Sequence, residues 1–309
     1  MHELVIVGCG PAGLTAGIYA ARYQLKCLVA GRDYGLASEA HQVENYPGFS
    51  SINGLELIER MMEQVKAYGI PLRLGVEVTR IVKHGEGFRL EFSGGEEVEA
   101  LAVIYAAGSR HRKLNLPEED RFLGRGLSYC ATCDGPLFKG KPVAVVGGAN
   151  SAASAALLLS NYASKVYILY RRSRLRCDPI LARRIEENDK IEVLYEVVPV
   201  RLIGEKMLES IVLRKSNGEE FKLDVSGVFV EIGTVPNTEP LRELNVELDE
   251  EGRVKVKPDM STNVEGLFAA GNVSDGSNKL DQIVTAAAEG AIAATSAYRY
   301  ISILKGRLA

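Results

Sequence analysis

Two cysteines set two residues apart, Cys130-Ala131-Thr132-Cys133, have the spacing of a disulfide that can open and close within a single turn of chain. Asp134 follows at once, where a carboxylate could pass a proton to or from the second sulfur. A dithiol that opens a helix has its thiolate stabilised by free N–H groups and by the helix dipole. The same spacing serves as half of a zinc site. There is no second such pair, however, and the four histidines are scattered, so no metal is expected. The remaining alternative is a pair of buried, inert thiols. Cys9 and Cys27 read as small packing residues, and Cys177, beside an arginine cluster, has no assigned role.

A second chemistry is suggested by Gly8-x-Gly10-x-x-Gly13, with Pro11 and Ala12 inside it. The first glycine permits a tight turn, the second lets backbone approach a pyrophosphate, and the third lets helix pack closely on strand. The helix N-terminus then offers free N–H groups to phosphate. Asp33 lies 20 positions after Gly13, where an acidic side chain can hold a ribose hydroxyl. The alternative is an ordinary structural turn.

Gly147-x-Ala149-x-x-Ala152, with Asn150 and Ser151 inside it, is a degraded copy. The Ala149 Cβ is expected to push a phosphate outward or to require a different turn. After the next strand comes no acidic residue but Tyr170-Arg171-Arg172-Ser173-Arg174-Leu175-Arg176. Arginines there favour a 2′-phosphate, hence NADPH over NADH. A solvated basic loop is the alternative.

The elements that must hold these residues follow from apolar periodicity. Leu4–Val7 reads as a strand, Leu14 to about Tyr23 as a helix and Cys27–Ala30 as a strand, which makes one βαβ unit. Leu55, Ile58, Met62 and Val65 give residues 55–67 helical spacing, and shorter β-like runs fill residues 72–104. The grammar restarts with strand Pro142–Val146, a helix to about Leu159 and strand Val166–Tyr170. Gly/Pro punctuation near Lys113–Pro117 and Pro236–Pro240 suggests linkers. A strand at Leu267–Ala270 stops on Gly271-Asn272, and an Ala-rich helix starts near Gln282. The expected fold is α/β, with two nucleotide-binding three-layer (Rossmann-like) domains, the second inserted into the first. The expected bounds are residues 1–113 with 245–309, and residues 114–244.

The bulk numbers agree. A chain of 309 residues, 46% hydrophobic and 25% charged, can bury two cores. A net charge of -3, with both signs interspersed, provides no footprint for nucleic acid or an anionic membrane. The N-terminus reads as a first strand and not a signal peptide, no apolar run approaches a membrane span, and five cysteines do not suggest a secreted framework. A cytoplasmic protein is expected.

Taken together, these residues resemble the low-molecular-weight thioredoxin reductases of bacteria and archaea, over essentially the whole chain. The resemblance rests on Gly8-Cys9-Gly10-Pro11-Ala12-Gly13, Glu44-Asn45-Tyr46-Pro47-Gly48, Cys130-Ala131-Thr132-Cys133-Asp134-Gly135, Gly233-x-x-Pro236-Asn237, the Thr262–Asn272 stretch and Gln282-Ile283-Val284-Thr285. It implies an FAD domain built from both chain ends, an inserted NADPH domain carrying the dithiol, and a homodimer. The FAD site would take in Gly8, Gly10, Pro11, Ala12, Gly13, Asp33, Asn45, Ala107, Gly108, Gly271, Asn272, Gln282 and Ile283. The NADPH site would take in Gly147, Ala149, Asn150, Ser151, Ala152, Arg171, Arg172 and Arg176. The resemblance makes Cys133 the flavin-side sulfur, Asp134 the proton donor, and Cys130 the sulfur that attacks a thioredoxin or glutaredoxin-like protein disulfide.

The chain departs from the family pattern at several positions. Asn272 stands for the usual Asp, Gly35-Leu36-Ala37 for Gly-Gly-Gln, and Asp281 for the Arg before the Gln. In the insert, Ala149 replaces a glycine, Ser154-Ala155 an acidic pair, and Tyr170 a His. Three other functions fit the same residues: a related enzyme with a ferredoxin-type donor, a dithiol oxidase using oxygen, and a non-catalytic flavin redox sensor.

Overall fold

The computed structural model describes residues 1–306. The chain divides into two compact units, Met1–Arg110 with the chain from Val235 onward, and His111–Thr234.

In the first unit β1 (His2–Val7) runs into α1 (Pro11–Arg22) and β2 (Cys27–Gly31). Helix α2 (Gly54–Ala67) and strands β3 (Leu72–Leu74), β4 (Val78–His84), β5 (Gly87–Phe92) and β6 (Glu97–Tyr105) follow. Strand β7 (Ser109–His111) leads into the second unit. There come α3 (Glu119–Phe122), β8 (Leu127–Ser128), α4 (Ala131–Asp134), β9 (Pro142–Val146), α5 (Asn150–Leu159), β10 (Lys165–Tyr170) and α6 (Pro179–Glu186). Strands β11 (Ile191–Tyr195), β12 (Val197–Ile203), β13 (Ser210–Lys215), β14 (Glu220–Asp224) and β15 (Gly227–Val230) complete it. The chain returns through β16 (Thr234–Pro236), which pairs with β7, and ends with β17 (Leu267–Ala269) and α7 (Ile283–Leu304).

The first sheet runs β3-β2-β1-β6-β5-β4, with β17 also on β6. Strand β6 is shared. Its first half pairs antiparallel with β5, while its second half pairs parallel with β1 and β17. Alternation along β1 shows the layers: Leu4 and Ile6 pack toward α1, α2 and α7, Val5 and Val7 toward the β4–β5 meander. The Ala-rich α7 lies close on α1, where a Cβ on Gly290 would overlap the Ala12 carbonyl.

The second unit repeats the plan with parallel strands in the order β11-β10-β9-β15-β8. Val143 and Val145 face α5, and Ala144 and Val146 face the side covered by the antiparallel β12–β14 sheet. These layers are those expected from the sequence.

The return into the first unit comes earlier than the Pro/Gly punctuation suggested. Residues 235–244 belong there because Leu241 and Leu244 bury in its core and the Asn237 side-chain amide donates to the Ala107 carbonyl at 2.9 Å. At the other end, Lys113–Pro117 lies inside the second unit, anchored by the Glu119 carboxylate.

Candidate active site: two glycine cradles and a disulfide

The parallel strands β1, β2, β6 and β17 all end at one edge of the first sheet, where open α/β sheets bind ligands. Gly8 turns the chain there with φ of 121°, and a Cβ on it would overlap the Ala106 carbonyl. A Cβ on Gly13 would overlap the Gly8 carbonyl in turn. A Cβ on Gly10 would meet nothing within 4 Å, so the space over the turn is left open by the protein itself. Gly10 caps α1 with no side-chain hydrogen bond and Pro11 opens the helix, which leaves first-turn N–H groups for a phosphate. These features fit a dinucleotide pyrophosphate.

The other expected residues gather at the same edge. Asp33 follows β2 and steadies its own loop by accepting the Gly35 N–H at 2.9 Å. Ala107 and Gly108 follow β6. Gly271 follows β17, and a Cβ on it would come 3.1 Å from that of Ala12. The Gly271 N–H donates at 2.7 Å to the buried carboxylate of Glu289, a residue no motif pointed to. Gln282 caps α7 just ahead of Ile283, and its Oε1 accepts the Asn45 amide at 2.8 Å.

The second cradle reproduces the first. Gly147 has φ of 146°, and its Cβ would overlap the Glu231 carbonyl. Ala149 caps α5 in an extended conformation (φ -104°, ψ -169°) close to that of Gly10 (φ -83°, ψ -175°). No different turn is needed; at this position the two cradles differ by one methyl group. Ser151 and Ala152 follow in the first turn of α5. The arginine loop folds onto this turn. The Arg176 N–H donates to the Gly148 carbonyl at 2.7 Å, and the Asn150 side chain accepts the Asp178 N–H at 2.7 Å. The Tyr170 ring lies against Gly148, where any Cβ would overlap it. Arg171, Arg172, Arg174 and Arg176 are exposed, and among the described residues none is paired with a carboxylate. This cradle fits a dinucleotide carrying an extra phosphate.

Cys130 and Cys133 form a disulfide with Cα atoms 5.3 Å apart. Cys133 is exposed, Cys130 half-buried, and Asp134 half-buried beside them. Helix α4 spans only four residues, so thiolate stabilisation here is local: the Cys133 N–H points at the Cys130 sulfur at 3.1 Å. The Ser128 hydroxyl braces the entry, accepting the Cys130 N–H at 3.0 Å. Tyr129 bonds to the buried Glu119 and stacks on His111. Neither Glu119 nor His111 carries a sequence signature; only the fold brings them to the dithiol. The other thiols suit packing roles: burial pushes Cys9 and Cys27 each up to about 12.

A family model described as pyridine nucleotide-disulphide oxidoreductase matches residues 2–290. A thioredoxin reductase of Bacillus subtilis is 38% identical over 100% of this chain and 97% of its own length. The chain belongs to the pyridine nucleotide-disulphide oxidoreductases, in their low-molecular-weight thioredoxin reductase branch. Among solved structures, Lactococcus lactis thioredoxin reductase superposes with a TM-score of 0.94 at 34% identity, covering 98% of this chain and 100% of that one. Thioredoxin reductase from T. acidophilum superposes with a TM-score of 0.91 at 36% identity, covering 96% and 98%. As a pyridine nucleotide-disulphide oxidoreductase, the chain is a redox enzyme with FAD and NADPH as cofactors and the Cys130–Cys133 pair as its dithiol. Among the described residues, no helix is long and apolar enough to cross a membrane.

Proposed function

We propose that this oxidoreductase reduces the disulfide of a thioredoxin or glutaredoxin-like protein, with the unit from His111 to Thr234 as its NADPH domain and the other unit as its FAD domain. The observation that carries this reading is a closed Cys130–Cys133 disulfide on a unit that also holds its own glycine cradle and arginines that, among the described residues, pair with no carboxylate.

In this reading each cradle holds a pyrophosphate on a helix N-terminus: Gly8, Gly10 and Gly13 with α1, and Gly147, Ala149 and Asn150 with α5. Asp33 holds a ribose hydroxyl, and Arg171, Arg172 and Arg176 hold the 2′-phosphate of NADPH. Asn45, Asn272 and Gln282 orient the FAD. FAD, when bound, supplies the two-electron carrier between nicotinamide and disulfide.

Opening the Cys130–Cys133 bond takes two electrons and, with one sulfur left as a thiolate, one proton. Cys133 receives the electrons and leaves Cys130 as a thiolate, while Asp134 moves a proton at the Cys133 sulfur. The Cys130 thiolate attacks one sulfur of the partner's disulfide and forms a mixed disulfide. Cys133 then attacks Cys130, which releases the reduced partner and restores the bond. A cytoplasmic homodimer is part of this reading, and the exposed Val284 and Ile292 of α7 support the dimer.

The deciding experiment is an anaerobic titration of the holoenzyme with NADPH and with NADH, following flavin absorbance. Bleaching by NADPH at low concentration, with uptake beyond one two-electron equivalent, is expected. A flavin that NADPH leaves oxidised would overturn the donor assignment and turn the search to a ferredoxin-type donor.

A further inference from the structure

We propose that Arg253 is the positioning residue of the FAD site, one guanidinium holding both ends of the loop 272–281 and so setting the separation of Asn272 from Gln282. The proposal rests on the assignment of those two residues to FAD made above.

Within the loop the backbone makes short local turns, the Lys279 N–H donating to the Gly276 carbonyl at 2.9 Å and the Leu280 N–H to the Ser277 carbonyl at 3.1 Å. Ser277, Asn278 and Lys279 have φ of 47°, 55° and 59°, three consecutive non-glycine residues in the left-handed region. Such a stretch persists only where its surroundings over-determine it.

Part of that support comes from α7, where the Glu289 carboxylate accepts the Ser274 hydroxyl at 3.2 Å, and the rest described here comes from residues 249–256. Arg253 Nη1 and Nη2 each reach a different carboxylate oxygen of Asp281 at 2.7 Å, a bidentate pair at the loop's far end. At the near end the same Nη1 lies 3.5 Å from the Asn272 carbonyl and 3.5 Å from that of Ser274. The Arg253 side chain is 11% exposed and that of Asp281 32%, so the guanidinium half of the pair is shielded from the water that weakens surface ion pairs. Between the ends, Lys279 Nζ binds Asp249 at 2.8 Å, and the Asp275 carboxylate accepts the Val256 N–H at 2.9 Å. Asp249 in turn accepts the backbone N–H groups of Glu251 and Arg253 at 2.8 and 2.9 Å, which fixes the turn that presents the guanidinium.

Both anchored ends touch the FAD residues directly. The Asn272 carbonyl is itself one acceptor, and Asp281 immediately precedes Gln282, the α7 cap that bonds to Asn45. Asp281, at a position where the family usually has Arg, is the carboxylate that Arg253 pairs with. A shift of either end moves an amide that would face FAD, without touching the glycine cradle.

The test uses holoenzyme variants R253M, R253K and D281N beside N272A and Q282A. Measured for each are FAD release on dilution by flavin fluorescence, the visible flavin spectrum, and the midpoint potential by dye equilibration. R253M and D281N are expected to weaken FAD retention about tenfold and to shift spectrum and potential, as loss of a bidentate pair beside the site would. R253K keeps the charge but not the fork and should recover only part. Wild-type retention, spectrum and potential in R253M, alongside altered values in N272A or Q282A, would overturn the proposal. Unaltered values in N272A and Q282A as well would remove the underlying FAD assignment, and the proposal with it. If R253M does not fold, D281N, which breaks the pair but leaves the guanidinium, decides on the same readouts.

Discussion

The carboxylate of Glu119 accepts the phenol hydrogen of Tyr129, the residue immediately before Cys130. It also accepts the Leu114 and Asn115 N–H groups at 2.9 and 2.7 Å, and Glu119 is only 3% exposed. Burial, then this hydrogen bond, pushes the Tyr129 phenol well above its ordinary range. Glu119→Ala leaves three donors without their acceptor and should cost about 2–4 kcal/mol in chemical denaturation. Tyr129→Phe should cost about 1 kcal/mol. An unchanged denaturation midpoint in Glu119→Ala would remove this carboxylate from the support of the dithiol.

The two glycines of the first cradle should separate folding from binding. Gly8→Ala places a methyl group on the Ala106 carbonyl at a φ of 121° and should lower thermal stability. Gly10→Ala meets nothing within 4 Å in the protein, so the fold should tolerate it while FAD content falls. Full flavin occupancy in Gly10→Ala would argue against that space as the pyrophosphate site.

The two cysteines should fail differently. Cys133→Ser leaves Cys130 able to attack but unable to be released, so a one-cysteine thioredoxin activated as its thionitrobenzoate mixed disulfide should accumulate on Cys130, with thionitrobenzoate leaving, as a protein mixed disulfide visible on non-reducing gels. Cys130→Ser should give none while NADPH still bleaches the flavin. A mixed disulfide formed through Cys133 in Cys130→Ser would reverse the roles.

Arg171→Ala and Arg172→Ala should each raise the KM for NADPH by about tenfold, the usual worth of a charge-assisted phosphate contact, and leave that for NADH unchanged. An equal loss with both nucleotides would mean that these arginines do not read the 2′-phosphate.

The pH dependence of alkylation follows from the buried thiols. Cys9 and Cys27 are held protonated up to about 12 by burial, with the Asp33 and Glu3 charges adding to it. The reduced native enzyme at pH 8 should therefore label at Cys130 or Cys133, and at Cys9 and Cys27 only in denaturant. Their folded values lie above the ordinary thiol value of 9.0, so they favour the folded state fully below about pH 9. That contribution is lost as pH rises toward about 12, and mass spectrometry with an alkaline denaturation series checks both statements.

Much of this was legible because the relevant residues are neighbours in sequence. A glycine turn between a strand and a helix, or two cysteines with an aspartate beside them, declares itself within about ten residues. Glu119 and Arg253 were not legible, since an isolated acid or arginine has no signature until the fold sets Tyr129 and Asp281 beside it. The second crossing was read ten residues late because Pro236 and Pro240 look like linker punctuation. Only the burial of Leu241 and Leu244 shows that their segment belongs to the first core. The Ala149 turn was expected to be able to differ in shape, yet its extended backbone is available to alanine as readily as to glycine.

The insertion also fixes an order of events at the ribosome. Once Thr234 is translated, every strand of the second unit exists, and that unit can complete its core. The first unit, begun earlier, still lacks β17 to pair with β6 and α7 to cover α1. Its sheet, with six of seven strands made, must wait for β17, and one side of α1 stays uncovered until the last helix emerges. The nascent enzyme therefore owns a finished dithiol unit before it owns a finished flavin cradle.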